Sequence, residues 1–487
     1  YHLQEAGATP EQELAFALAT ATAVLDELQA RVPAHDFPKI VGRISFFVNA
    51  GIRFVTEMCK MRAFVELWDE MCQSRYGVEN PKYRRFRYGV QVNSLGLTEQ
   101  QPENNVYRIL IEMLAVTLSK NARARAVQLP AWNEALGLPR PWDQQWSMRM
   151  QQIMAFETDL LEYEDLFDGN PTIEAKVARL KDEARHELAS LDAQGGAIEA
   201  IGYMKSRLVE SNTQRLNKIA SKETTVVGVN KFTTGEPSPL TAGDGGIMTV
   251  DPAVEQDQVD RLNAWRCARD DASVASALRS LRAAAQAGEN IMPASIAAAK
   301  AGVTTGEWAA QMRLIYGEYR GPTGVARGVS NQSEGLDEIR EAVDLVSQKL
   351  GRRLGFLMGK PGLDGHSNGA EQIAARARDC GMEIAYDGIR LTPEQLIASV
   401  QEHQPHVIGL SILSGSHIPL VEDMMKRLQL AQLDNIPVVV GGIIPQEDMI
   451  RLTAMGVAKI YTPKDFELNA IMMDIVSLAD PTDLAAE

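Results

Sequence analysis

Cysteine is scarce in this chain of 487 residues: there are four, Cys59, Cys72, Cys267 and Cys380, widely scattered. Their spacing fits neither a disulfide framework nor a metal-binding pair, so free or buried thiols in a reducing compartment are expected. Positive charge is also short. Lys and Arg number 49 against 64 Asp and Glu, a net charge of −15, and no basic cluster tracks a groove. Nucleic acid and anionic membrane are therefore poor partners. No apolar run reaches the length of a membrane span and the opening residues do not read as a signal peptide, which points to a cytoplasmic protein without a membrane partner.

What the chain does have is a glycine-rich segment, Lys360-Pro-Gly-Leu-Asp364-Gly-His366-Ser-Asn-Gly369. A carboxylate bound to one ring nitrogen fixes a histidine's tautomer and raises the basicity of the other nitrogen, which is how proteins offer imidazole to a metal. Lys360 is suited to orient Asp364 in turn. The same residues also make an ordinary turn. Further on come Ser411-Ile-Leu413 and Gly441-Gly442, and each of the three elements follows an apolar run: Leu354–Met358, Val407–Leu410 and Ile436–Val440. Thr392-Pro393-Glu394 reads as a helix start, and Gly381 as the stop of the helix before it. Strands alternating with helices predict an α/β, doubly wound parallel sheet, with ligands at the carboxyl ends of its strands.

Asp-x-His-x-x-Gly, Ser-x-Leu and Gly-Gly in this order resemble the cobalamin-binding, flavodoxin-like domain of adenosylcobalamin-dependent acyl-CoA mutases. The resemblance implies that His366 is the lower cobalt ligand, backed by Lys360, Asp364, Gly365 and Gly369. Ser411, Leu413, His417, Gly441 and Gly442 would line the slot for the cofactor's nucleotide arm, with glycine letting a heterocycle approach the backbone. For His417 a plain loop histidine stays equally open. His403 and His406 read as surface residues at a helix end.

The first residues, Tyr1-His2-Leu-Gln-Glu5-Ala-Gly-Ala, resemble a segment halfway round the (β/α)8 TIM barrel of the same mutases. Arg43–Phe54 and Arg87–Asn105 resemble the strands and helices that follow. The resemblance implies that Tyr1 and His2 act at the substrate's thioester carbonyl, that Gln91, Gly89 and Lys82 line the substrate, and that Glu5 and Glu134 contact the adenosyl ribose. Glu134 equally suits any helix start. Residues 1–155 would then be the C-terminal half of a barrel, with the N-terminal half expected upstream or as a separate fragment. Methylmalonyl-CoA mutases tend to have histidine where this chain has Gly89. The change clears room for a larger acyl branch, and with Gln100–Asn105 and Trp142-Asp-Gln-Gln-Trp146 it brings the chain nearest to the ethylmalonyl-CoA mutases.

Residues 156–345 read as a helical and wrapping linker, irregular over Asn230–Gly246, with a hinge at Gly321–Gly335 that lacks the context of a nucleotide P-loop. Residues 346–487 form the cobalamin-binding domain. The activity implied is the radical interconversion of ethylmalonyl-CoA and methylsuccinyl-CoA by a homodimer using adenosylcobalamin and an acyl-CoA substrate. The alternatives are a methylmalonyl-CoA mutase and a non-catalytic cobalamin carrier or sensor.

Overall fold

A computed structural model describes residues 1–241, 246–248, 251–325, 336–465 and 467–484. The chain opens with α1 (His2–Glu5), α2 (Pro10–Arg31), α3 (Phe37–Val41), β1 (Phe46–Ala50), α4 (Phe54–Ser74), β2 (Tyr88–Val92), α5 (Asn105–Thr117), β3 (Ala126–Gln128) and α6 (Pro141–Phe156). The strands pair in parallel in chain order, β1-β2-β3, as consecutive strands of a (β/α) barrel do. Side chains alternate across a strand. Val48, Tyr88 and Val90 therefore face the helices, in a core with Met58, Phe64 and Trp68. Phe47 and Asn49, set opposite Gly89 and Gln91, face the other way, toward the barrel interior.

His2 opens the short helix α1, and the Tyr1 backbone nitrogen donates to the Phe47 carbonyl of β1 at 2.5 Å. One expectation changes here: the helical linker is no mere connector at its start. Helix α7 (Pro171–Asp192) puts Ile173, Val177, Leu180 and Ala184 into the same core as α2 and α4, and Arg62 of α4 is tied to Asp165, Asp168 and Glu174 at 3.0–3.2 Å. Helix α8 (Ile201–Ala220) follows. Of the wrapping linker, residues 242–245 lie outside the described residues, as do residues 326–335 of the expected hinge.

Thr249–Gly321 form a separate compact unit. It holds α9 (Pro252–Ala268), α10 (Asp271–Gln286), α11 (Met292–Lys300) and α12 (Thr305–Tyr316) around Val274, Leu281, Ala285 and Ala298.

The rest of the chain runs α13 (Leu336–Leu350), β4 (Gly355–Gly359), α14 (Asn368–Asp379), β5 (Glu383–Ala385), α15 (Pro393–His403), β6 (Val407–Ser411), α16 (His417–Leu430), β7 (Val438–Gly441), α17 (Gln446–Ala454), β8 (Lys459–Tyr461), α18 (Leu468–Leu478) and α19 (Pro481–Leu484). The parallel order β5-β4-β6-β7-β8 is flavodoxin-like and switches direction beside β4, where such folds bind ligands. One apolar layer packs α13, α14 and α18 on the sheet and another packs α15, α16 and α17. Thr392 caps α15 with Gln395, and Gly381 takes a positive φ of 89° after α14, both as the sequence indicates. All four cysteines are free, and Cys267 alone is exposed. Among the described residues no helix is long and apolar enough to cross a membrane.

Candidate functional site

Lys360 follows β4 and is fully buried. Its ammonium donates to Asp364 Oδ2 at 2.6 Å and to the Ser411 carbonyl at 3.2 Å. Asp364 Oδ1 accepts the His366 backbone N–H at 3.0 Å and lies 2.8 Å from His366 Nδ1, while Oδ2 also accepts the Leu413 N–H at 2.9 Å. Ser411 and Leu413 therefore serve this loop through their backbones. Burial alone would raise the Asp364 pKa, but hydrogen bonds from His366 and Lys360 hold it far below the usual carboxylate range. The Asp364 bond pushes His366 upward against the effect of burial. With Nδ1 committed and the side chain 75% exposed, Nε2 is the nitrogen presented to a ligand.

The two glycines after β7 divide their work. A Cβ on Gly441 would meet nothing within 4 Å, whereas one on Gly442 would stand 1.9 Å from the Ile412 carbonyl oxygen. Gly441 leaves open space at the strand end, and Gly442 lets two backbones touch. Gly369 likewise borders open space, and a Cβ on Gly365 would meet the Arg390 guanidinium at 3.2 Å. His417 is no solvated loop residue. It is 2% exposed at the start of α16 and bonded through Nε2 to Asp448 at 2.9 Å, and its buried Nδ1 has no partner among the described residues. His406 is bound as well, accepting the Gly355 N–H at 2.8 Å.

On the barrel side, Glu5 gathers three donors at the strand ends: Asn49 Nδ2 at 3.0 Å, Ser94 N at 2.8 Å and Leu95 N at 3.1 Å. Asn93 Nδ2 bonds Asn49 Oδ1 at 2.9 Å. Glu134 is presented by a loop that Asp143 pins through Trp132 Nε1 and Asn133 Nδ2, each at 2.8 Å. Burial, with Glu5 nearby, pushes the Glu134 pKa up to about 7, against the opposing effects of Ser94 and His366. His2 is lowered by partial desolvation and by His366. Glu134 and His2 thus feel the His366 charge, and His366 feels Glu5, so the barrel rim and the glycine-rich loop face each other. Lys464 and Glu99 join the two sides at 2.5 Å.

Gly89 and Gln91 share the interior face of β2, but the room above Gly89 is taken. A Cβ there would lie 3.0 and 3.1 Å from Cδ2 and Cε2 of the Phe47 ring. Phe47, missed in the sequence, is legible afterwards from its alternation with Asn49. Lys82 does not join the group. It is exposed in the turn between α4 and β2, at the amino ends of the strands, because its position precedes β2 rather than following it. The Gln100–Asn105 run has a structural use. Buried Asn105 bonds Thr98 and the Trp132 carbonyl, and Gln101 Nε2 holds the wrapping linker at the Phe232 carbonyl, 3.0 Å away.

The family described as Methylmalonyl-CoA mutase matches residues 1–318. The chain belongs to the methylmalonyl-CoA mutase family. Residues 355–465 match the family described as B12 binding domain, so the mutase match and the B12 match fall on the two surfaces that face each other. The chain is 73% identical to the ethylmalonyl-CoA mutase of Cereibacter sphaeroides over 487 residues, all of this chain and 74% of that protein. It is 60% identical to that of Methylorubrum extorquens over 99% of this chain and 70% of the relative. Against the methylmalonyl-CoA mutase of Escherichia coli the identity is 32%, covering 98% and 67%.

Proposed function

We propose that this member of the methylmalonyl-CoA mutase family is an adenosylcobalamin-dependent isomerase that interconverts ethylmalonyl-CoA and methylsuccinyl-CoA. The observation that carries the reading is that His2, Glu5 and Glu134 lie within electrostatic reach of His366, with Lys464 and Glu99 joining the two sides at 2.5 Å. The identity of 73% and 60% to ethylmalonyl-CoA mutases, against 32% to the methylmalonyl-CoA enzyme, selects the substrate.

The residues fit the cofactor. Among those described, no three His, Cys, Asp or Glu gather to hold a bare ion. A lone imidazole with a carboxylate behind it suits a metal that brings its other ligands. Open space at Gly441 accommodates the nucleotide arm, and the buried Nδ1 of His417 is an acceptor in want of a donor. Adenosylcobalamin, when bound, supplies a weak cobalt–carbon bond and with it radical chemistry that no side chain provides.

The chain's own residues position and exclude. Partial desolvation lowers the His2 pKa, which favours the neutral ring, so a ring N–H donates to the thioester carbonyl as charge develops there, with Tyr1 beside it. Gln91 takes the substrate carboxylate, and Phe47 over Gly89 forms the wall against the acyl branch. Glu5 and Glu134 accept from ribose hydroxyls, and Lys360 and Asp364 steady His366. We place Lys82 outside this machinery. The working assembly is read as a homodimer in which further barrel strands come from polypeptide outside this sequence.

The test is turnover by the adenosylcobalamin-loaded protein of ethylmalonyl-CoA and methylmalonyl-CoA in parallel. The expected result is a larger kcat/KM for ethylmalonyl-CoA. The reverse ratio would make it a methylmalonyl-CoA mutase, and cobalamin binding with neither turnover would make it a carrier.

A further inference from the structure

Helix α1 carries His2 and Glu5 yet has four residues, none of them buried. A single turn has no stability of its own, because nucleation costs more than one turn returns. It is held from below by Gln4. The Gln4 Oε1 accepts from Lys60 Nζ at 2.8 Å, and its Nε2 donates to Glu57 Oε1 at 2.8 Å, so the amide can sit in one orientation only.

Lys60 is fully buried in α4. Its three N–H groups reach Gln4, the Asn49 carbonyl at 2.8 Å, and Glu13 of α2 in a short contact. Glu57 Oε2 stands 2.6 Å away as a purely ionic partner. Burial would push the Lys60 pKa down, but Glu13 and Glu57 raise it beyond its ordinary value, so the cation persists. Asn49 extends the cluster upward: its N–H goes to Glu13 Oε1 at 2.9 Å and its side chain to Glu5 at 3.0 Å. One ammonium thus reaches the His2 helix through Gln4 and the Glu5 carboxylate through Asn49. A buried ion cluster is an expensive way to gain stability. What it supplies that apolar packing does not is fixed direction.

Resting on the function proposed above, we infer that Lys60 is a positioning residue for the reaction, setting His2 and Glu5 through Gln4 and Asn49. Gln4→Met in the intact protein removes both amide bonds at nearly constant size and leaves the ion cluster whole. We expect kcat to fall about tenfold to a hundredfold, as misplacement by a fraction of an ångström to an ångström does, with KM within about twofold. The unfolding midpoint should stay within a few degrees of the parent's, and the peptide spanning residues 1–9 should exchange its amide hydrogens about tenfold faster. Lys60→Met should accelerate the same peptide, and the double variant should add little, as two ends of one link behave. Unchanged exchange in Gln4→Met overturns the inference, and so does an unchanged kcat or a loss explained by a collapsed midpoint. The exchange readout needs no turnover, so an inactive parent protein would count against the proposed function and leave this inference to be decided by exchange alone.

Discussion

Glu134 is the side chain whose proton says most about the site. Burial and the neighbouring Glu5 hold its pKa at about 7, from an ordinary 4.5. Between those values the unfolded chain has released the proton and the folded chain has not, so stability falls as pH rises through the window. The full cost is about 3 kcal/mol. Glu134→Gln has no proton to lose. Without cofactor, its unfolding midpoint should match the parent's near pH 5 and exceed it by a few degrees at pH 8; parallel profiles would show that Glu134 ionises freely. At this scale much was legible in the sequence. Asp364 and His366 stood out only together with Ser411-Ile-Leu413 and Gly441-Gly442 after later apolar runs, because alone such a segment also makes an ordinary turn. Lys60 was not legible, since a lysine on an amphipathic helix is ordinarily solvated and only the tertiary fold reveals four partners around it. Phe47, legible from its alternation with Asn49, was overlooked, and its ring occupies the room that Gly89 was expected to clear.

Helices α8 and α14 form the clasp behind the Asp364–His366 loop. Helix α14 begins immediately after that loop. Its buried Glu371 pairs with Lys205 of α8, and Gln372 donates to the Val209 carbonyl at 3.0 Å and accepts from Thr213 at 2.8 Å. Removing one partner of a buried pair leaves the other desolvated and alone, at about 1–3 kcal/mol. Lys205→Met should therefore lower the unfolding midpoint by a few degrees, and Lys205→Met with Glu371→Leu should restore most of it. A double variant no better than the single would mean that the pair contributes nothing beyond packing. The elements themselves were readable from local chemistry. Thr9 and Thr392 with glutamine three residues on each make a capping box, and Gly381 ends α14. Helix α7 was misread as linker because its charged and apolar periodicity says only that one face is covered, not which core covers it.

Across the whole molecule the sequence conveyed two surfaces and the structure shows that they meet. The parallel, doubly wound character of the C-terminal sheet follows from alternating apolar runs and helix caps, and its flavodoxin-like order was implied by the resemblance. The junction does not follow, because its contacts, such as Lys464 with Glu99, join residues far apart in the chain. The central claim is that a protein imidazole, that of His366, takes the lower face of cobalt. It is tested most directly by labelling the protein's histidines with nitrogen-15, loading it with unlabelled cobalamin in the cobalt(II) state, and recording the electron spin resonance spectrum. The account predicts that the superhyperfine triplet of ordinary nitrogen becomes a doublet, and that His366→Ala loses the doublet. A triplet that survives labelling would mean that the cofactor's own base stays on the metal, which would contradict the account.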